Sequence, residues 1–185
     1  MGLEKVEVFK YIEETNRLMR TSGLFLCSGD MKEPNKRDLK PNIMTIGWGF
    51  LGTIWSLPVF IVAVRHSRHT FTILEKSNSF TVCLPTKDMK KELDYAGSKS
   101  GRDIDKFKEL KLTPKKGFDV DAPYIKESPI HYECEILYKD DMQPGKLIER
   151  VEKLSYKTKD MHLIYYGQVK GCYALKSASK KISKE

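Results

Sequence analysis

Val59-Phe60-Ile61-Val62-Ala63-Val64-Arg65-His66-Ser67-Arg68-His69-Thr70 passes without a break from six apolar residues into two guanidiniums, two imidazoles and two hydroxyls. The short, β-branched apolar run reads as a buried strand. Thr70-Phe71-Thr72-Ile73-Leu74-Glu75 follows, with a capping residue and helical apolar spacing, so a helix is expected to start there. A strand that ends in this cluster delivers donor-rich side chains to one point. Three readings fit the cluster. It can be a solvated basic turn. It can hold a metal on His66 and His69, although no third ligand is indicated and two arginines would repel a cation. Or it can bind a phosphate, which uses every residue type present.

Working outward, residues 43–64 carry no charge, a length that raises the question of a membrane span. Gly47, Gly49, Gly52 and Pro58 break it, and two buried strands joined by a Gly-rich turn explain it better. The first, Pro41-Asn42-Ile43-Met44-Thr45-Ile46-Gly47-Trp48, ends in a glycine that permits close backbone approach to a planar ligand and a tryptophan that can border it. A packed core strand is the competing reading. Downstream, Ser98-Lys99-Ser100-Gly101-Arg102 is a second anion-friendly loop, without the spacing of a Walker motif. Asp160-Met161-His162 precedes a further strand. A histidine there is ordinarily a hydrogen-bonded structural residue, and a role beside a redox ring is the alternative.

The remaining segments complete a mainly β pattern. A helix is expected over residues 5–20 and strands at about 22–28 and 79–84. Short helices are expected at 70–77 and 88–96, and an exposed loop at 30–38. Residues 113–129 read as a surface connection. Strands at 130–138, 162–170 and 172–176 follow, with a helix between the first two. Many short strands with few helices argue for a β-barrel with helical insertions. The Gly-rich dinucleotide fingerprint is absent, which disfavours a Rossmann domain.

The 185 residues suit a single domain over 1–176, with a basic tail at 177–185 read as a solvated end. The net charge of +8 favours anionic ligands. No base-reading helix or finger-type Cys/His spacing accompanies it, so neither nucleic acid nor membrane is expected as a partner. The cysteines, Cys27, Cys83, Cys134 and Cys172, are widely spaced. Buried free thiols and a cytoplasmic location are expected. The first residues lack the pattern of a secretory signal.

Taken in order, these segments resemble the flavin reductase-like family of FMN-binding split-barrel proteins, which includes flavoredoxins and NAD(P)H:flavin oxidoreductases. The matching elements are Asn42-Ile43-Met44-Thr45, the strand ending in Arg65-His66-Ser67-Arg68-His69-Thr70, and Phe80-Thr81-Val82-Cys83-Leu84-Pro85. The block Ser100-Gly101-Arg102-Asp103-Ile104-Asp105-Lys106-Phe107 and Asp160-Met161-His162 with Gly167-Gln168-Val169 continue the match. The sequence departs at Leu57-Pro58, where the family has two prolines, and at Met161, which separates the acid from the histidine.

The resemblance implies a Greek-key split β-barrel with short helical insertions that binds FMN at a homodimer interface. It implies that the backbone of Thr45, Ile46, Gly47 and Trp48, beyond Asn42, runs along the isoalloxazine. Arg65, Ser67, Arg68, His69 and Thr70, together with Ser98, Lys99, Ser100 and Gly101, would surround the phosphate. Lys106 is a further candidate for that anion, and His162 one for the ring. No side-chain acid or base is called for, because the flavin carries the redox chemistry. The expected activity is hydride transfer from NADH or NADPH, then electron delivery to a small-molecule or protein acceptor. The alternatives are a flavoredoxin-like electron carrier and a basic scaffold without flavin.

Overall fold

The computed structural model describes residues 2–182. Among these residues ten strands form: β1 (Leu3–Val6), β2 (Leu24–Ser28), β3 (Asn42–Ile46), β4 (Gly49–Ile54), β5 (Leu57–Arg65), β6 (Ser79–Leu84), β7 (Pro114–Lys116), β8 (Pro123–Ile125), β9 (Ile130–Asp141) and β10 (His162–Leu175). Among the described residues there are six α-helices: α1 (Ile12–Thr21), α2 (His69–Leu74), α3 (Lys90–Ser98), α4 (Lys106–Glu109), α5 (Glu149–Ser155) and, after β10, α6 (Ala178–Lys181). The main sheet is antiparallel, in the order β3-β2-β6-β9-β10-β5-β4. β3 and β4 sit at opposite ends of this order, yet only Gly47 and Trp48 separate them in sequence. Two residues cannot cross an open sheet. The sheet is therefore curled until its two edges nearly meet, which makes a split β-barrel.

The barrel is filled by alternate residues: Leu24 and Leu26 of β2, Phe60, Val62 and Val64 of β5, and Phe80, Val82 and Leu84 of β6. A period of two puts their neighbours on the outer face. There Phe25, Cys27, Ile43 and Cys83 are buried as well, under Leu93, Ala96, Phe107 and Ile125. β2 and β6 are covered on both faces, which is why their sequences do not alternate strictly between apolar and polar residues. The four cysteines are free and buried.

Several elements differ from the sequence expectation. Residues 5–20 are not one helix: β1 pairs with the end of β10, a 3-10 segment spans Val8–Tyr11, and α1 starts at Ile12. Pairing to a long strand outweighs local helical spacing there. The Gly-rich turn is a strand, β4. Gly49 has φ +148°, and a side chain on it would overlap the Ile61 carbonyl of the neighbouring strand. The true turn is Trp55-Ser56, both at positive φ, as a tight hairpin demands. The strands expected at 162–170 and 172–176 are one, carrying an irregularity between Val169 and Gly171. The connection at 113–129 contains the β7/β8 ribbon. The tail is not simply solvated: Ala178 and Ile182 pack into the main core while the lysines between them face outward. Its last residues, 183–185, lie outside the described residues.

Candidate functional site: a two-part cleft at the barrel split

β3 is an edge strand, bonded in the sheet only to β2. Its two ends are tied to the elements that build the cleft. At one end buried Asn42 Nδ2 donates to Thr70 Oγ1 at 2.8 Å. At the other, Thr45 Oγ1 donates to the Leu93 carbonyl of α3 at 2.6 Å. β5 ends at Arg65, and α2 begins four residues later at His69, with Arg68 as its extended cap residue. Thr70 is therefore inside the first turn and does not cap it. α2 has six residues, so its dipole is small and the positive field here comes from side chains.

The two donor-rich turns predicted from sequence face each other across a hollow of about 140 Å³. Ser67, Arg68, His69 and Thr70 line one side, residues 98–102 the other, and Met44, Ala96 and Lys106 the floor. The turns are cross-linked. Arg102 Nη1 donates to the Ser67 carbonyl at 3.2 Å, and Arg68 Nη1 donates to the Gly97 carbonyl at 3.2 Å. Gly101 is required by this approach, because a methyl group there would overlap Asn42 Oδ1 and press on His69.

Lys106 lies almost entirely buried, with Nζ donating to the Ala96 carbonyl at 2.9 Å. Burial, then the neighbouring Arg68 charge, pushes its pKa down to about 8. His69 is also pushed down, by burial and then by Arg102 and Lys106. No carboxylate lines the hollow among the described residues. An ammonium has three donors and a guanidinium five; an oxyanion placed here would meet several of them and relieve their mutual repulsion.

A second hollow of about 170 Å³ shares Met44 and Arg68 with the first, so the two form one cleft. Thr45, Ile46, Gly47 and Trp48 form its backbone edge, opposite Ala63, Arg65 and His162. The Ala63 N–H donates to the Trp48 carbonyl at 3.1 Å, which fixes the crossing from β3 to β4. The Trp48 and His162 rings lie 4.6 Å apart, and Tyr156 Oη is 2.8 Å from His162 Nδ1. Burial, then the Arg65 charge, pushes His162 down to about 4, so it is neutral at pH 7.

Arg65 belongs to this second hollow and not to the first. Its guanidinium donates to the Asp160 carbonyl and, at 2.9 Å, to the Ser155 carbonyl. It also lies over the rings of Tyr156 (5.2 Å) and Trp48 (5.9 Å). Ser67 does line the first hollow, but its hydroxyl donates to Asp160 Oδ2 at 2.6 Å. The two imidazoles of the opening cluster separate: His66 pairs with Asp141 at 2.7 Å while His69 faces the basic hollow. Sequence reading missed Tyr156 and the carbonyls of Ser155 and Asp160. Asp160 stands in the segment Asp160-Met161-His162 already singled out, while Ser155 and Tyr156 lie in the long polar stretch before it, which carries no motif.

A family model described as "Flavin reductase like domain" matches residues 21–181. An uncharacterized protein of Archaeoglobus fulgidus is 34% identical over 98 residues, covering 53% of this chain and 55% of its own. The chain thus spans about half the length of the curated relatives it matches. Among solved structures, the flavoredoxin of Desulfovibrio vulgaris superposes with a TM-score of 0.64 at 26% identity, over 84% of this chain and 70% of that one. The FMN-binding domain of a flavin reductase-like enzyme from Shewanella baltica gives 0.62 at 18%, over 94% and 77%. With the cleft at the barrel split and the family match running through nearly all of it, the chain belongs to the flavin reductase-like domain family and has its split-barrel fold.

Proposed function

We propose that this cleft holds FMN and that the chain is an oxidoreductase using NADH or NADPH. The observation that carries the reading is the continuity of a carboxylate-free, cationic hollow with a second hollow bounded by an exposed strand edge and two rings. That is the chemistry of a phosphate joined to a flat heterocycle. Arg68, Arg102 and Lys106, with Lys99 and the hydroxyls of Ser98 and Ser100, would hold the phosphate. The backbone of residues 45–48 would meet the polar edge of the ring, and Trp48 and His162 would wall it. FMN, when bound, supplies acceptance of a hydride and onward transfer of electrons.

The chain's own residues orient the ring and set its surroundings. Neutral His162 puts no charge of its own beside the ring. The Arg65 guanidinium, fixed by two carbonyls, keeps a positive charge at that end, which favours a reduced, anionic ring.

Assembly as a homodimer fits the surface next to the cleft. Trp55 is more than half exposed at the β4–β5 tip and packs on Tyr138 and Tyr166, and Phe50 on β4 is exposed too. β4 starts directly after Trp48. A second copy seated there would border the ring hollow. Buried reduced thiols fit a cytoplasmic location. No helix among the described residues is long and apolar enough to cross a membrane.

The second reading, an electron carrier, is favoured by the 26% identity to a flavoredoxin. Anaerobic mixing of the FMN-loaded protein with each nicotinamide decides between them. Bleaching of the flavin band by NADH or NADPH supports the enzyme; no bleaching by either, with FMN bound, supports the carrier.

A further inference from the structure

His162 is oriented by two residues that lie outside the cleft-lining strands. Tyr156 closes the end of α5 and Met142 follows β9. Tyr156 Oη lies 2.8 Å from Met142 Sδ and 2.8 Å from His162 Nδ1. All three residues are fixed. The Met142 N–H donates to the His162 carbonyl at 3.0 Å, and the Tyr156 N–H donates to the Glu152 carbonyl at 2.9 Å. The Tyr156 ring is held between the Arg65 guanidinium, 5.2 Å away, and the edge of Trp48, 6.1 Å away. Tyr156 and His162 are buried. Asp160, the acid that sequence places nearest to His162, is engaged elsewhere: its carboxylate accepts from the Ser67 hydroxyl at 2.6 Å and from the Ser67 N–H at 3.3 Å.

The protons of this chain can be counted. A phenol carries one proton, and a thioether carries none and only accepts. Suppose first that the Tyr156 proton points to Nδ1. One hydrogen bond forms, and Oη and Sδ are left pressed together lone pair to lone pair. With the proton toward Sδ instead, Oη accepts from an N–H at Nδ1 and both close contacts become hydrogen bonds. The second arrangement leaves no contact unsatisfied, and the bonds reinforce one another. His162 is neutral at pH 7 because burial, then the Arg65 charge, lowers its pKa. It therefore holds one proton, and a proton on Nδ1 leaves Nε2 bare. The imidazole lines the ring hollow with residues 45–48, and Nδ1 is taken by Tyr156, so Nε2 is the nitrogen open to a ligand.

We infer that Tyr156, its proton drawn off by Met142, is a positioning residue that locks His162 in the Nδ1–H form and presents Nε2 to the ring hollow as a hydrogen-bond acceptor. The inference rests on the reading of this hollow as a ligand site and adds the polarity of one wall. A group that meets Nε2 there has to donate an N–H or an O–H. A carbonyl oxygen or a bare ring nitrogen finds no donor at that point.

The test reads the tautomer directly. The full chain, labelled with nitrogen-15 in histidine, is studied as purified at pH 7 by long-range proton–nitrogen correlation. His162 is identified by the signals that His162→Gln removes. In wild type, Nδ1 resonates as a protonated nitrogen and Nε2 as a bare one. Met142→Leu keeps the volume and the phenol but removes the acceptor. The Tyr156 proton then turns to Nδ1 and the pattern inverts, with Nε2 protonated. Tyr156→Phe removes the contact and the Nδ1–H population falls. A wild-type His162 protonated on Nε2, or a Met142→Leu spectrum that keeps the wild-type pattern, overturns the inference. Either result in a protein whose flavin is bleached by a nicotinamide leaves the redox reading intact. The predicted tautomer, inverted by Met142→Leu, in a protein that binds no FMN upholds the inference and defeats the flavin reading instead.

Discussion

Arg65 and Arg68 come from one hexapeptide, yet they do opposite things at the two ends of one cleft. Among the described residues, Arg68 reaches the Gly97 carbonyl and stands beside Arg102 and Lys106 with no carboxylate lining the hollow. Arg65 is held by two carbonyls and covered by two rings. The basic end is electrostatically incomplete: among the described residues no carboxylate lines the gathered cations, Asp103 and Asp38 act on His69 from outside the lining, and Lys106 is driven down by burial. The ring end is already satisfied, with Arg65, Tyr156, Asp160 and His162 bonding one another or nearby backbone. A site waiting for an anion and a wall that only needs to keep its shape can therefore be told apart by their partners, not by their residue types.

The largest separation is expected at Lys106. Lys106→Met should weaken FMN binding by about 2–3 kcal/mol, the range of hydrogen bonds to charged groups. The FMN-free protein should keep its unfolding midpoint within about 2 °C, because the lost ammonium was poorly compensated. A large fall in the FMN-free midpoint with unchanged FMN affinity would make Lys106 a structural residue. The two arginines come next. Arg68→Ala should cost about 2 kcal/mol of FMN affinity and less than about 0.5 kcal/mol of stability. Arg65→Ala should show the reverse emphasis, about 2 kcal/mol in urea unfolding, since it strands two carbonyls. Inverted results would erase the contrast between the ends.

Gly101→Ala tests the closeness of the two turns. It should lower FMN affinity about tenfold as the loop moves off Asn42, and wild-type affinity would mean the turns do not need to touch. The smallest effect concerns His162. Its folded pKa, about 4, lies below the ordinary 6.5, so between those values the unfolded chain holds a proton that the folded chain refuses. Stability from this source is complete above pH 6.5 and drains away as the pH falls toward 4. Wild type should lose about 1 kcal/mol more than His162→Gln between pH 7 and about 5.5. Equal losses in denaturant titrations would show that the imidazole is not buried neutral.

Much of this was legible in the chain. The apolar run of residues 59–64 is a strand because every residue in it suits a sheet covered on both sides, and the two loops carry their own donor chemistry. The barrel's interior followed from the same runs. What stayed hidden depended on distant pairing. β1 looked helical until β10 offered it an edge, and β4 looked like a turn because its Gly49 serves a strand-to-strand approach at Ile61. Arg65 looked like a phosphate ligand because sequence shows its charge but not the Ser155 and Asp160 carbonyls, some 90 residues away, that hold it. The tail looked solvated because its lysines outnumber the two small apolar contacts that pin it.

The central claim is that two donor-rich turns close over one phosphate. It is tested most directly by titrating the purified chain with FMN and with riboflavin, which differ only in that group. Binding of FMN about a hundredfold tighter than riboflavin, with the gap shrinking in Arg68→Ala, is the predicted result; equal affinities for the two flavins would contradict it.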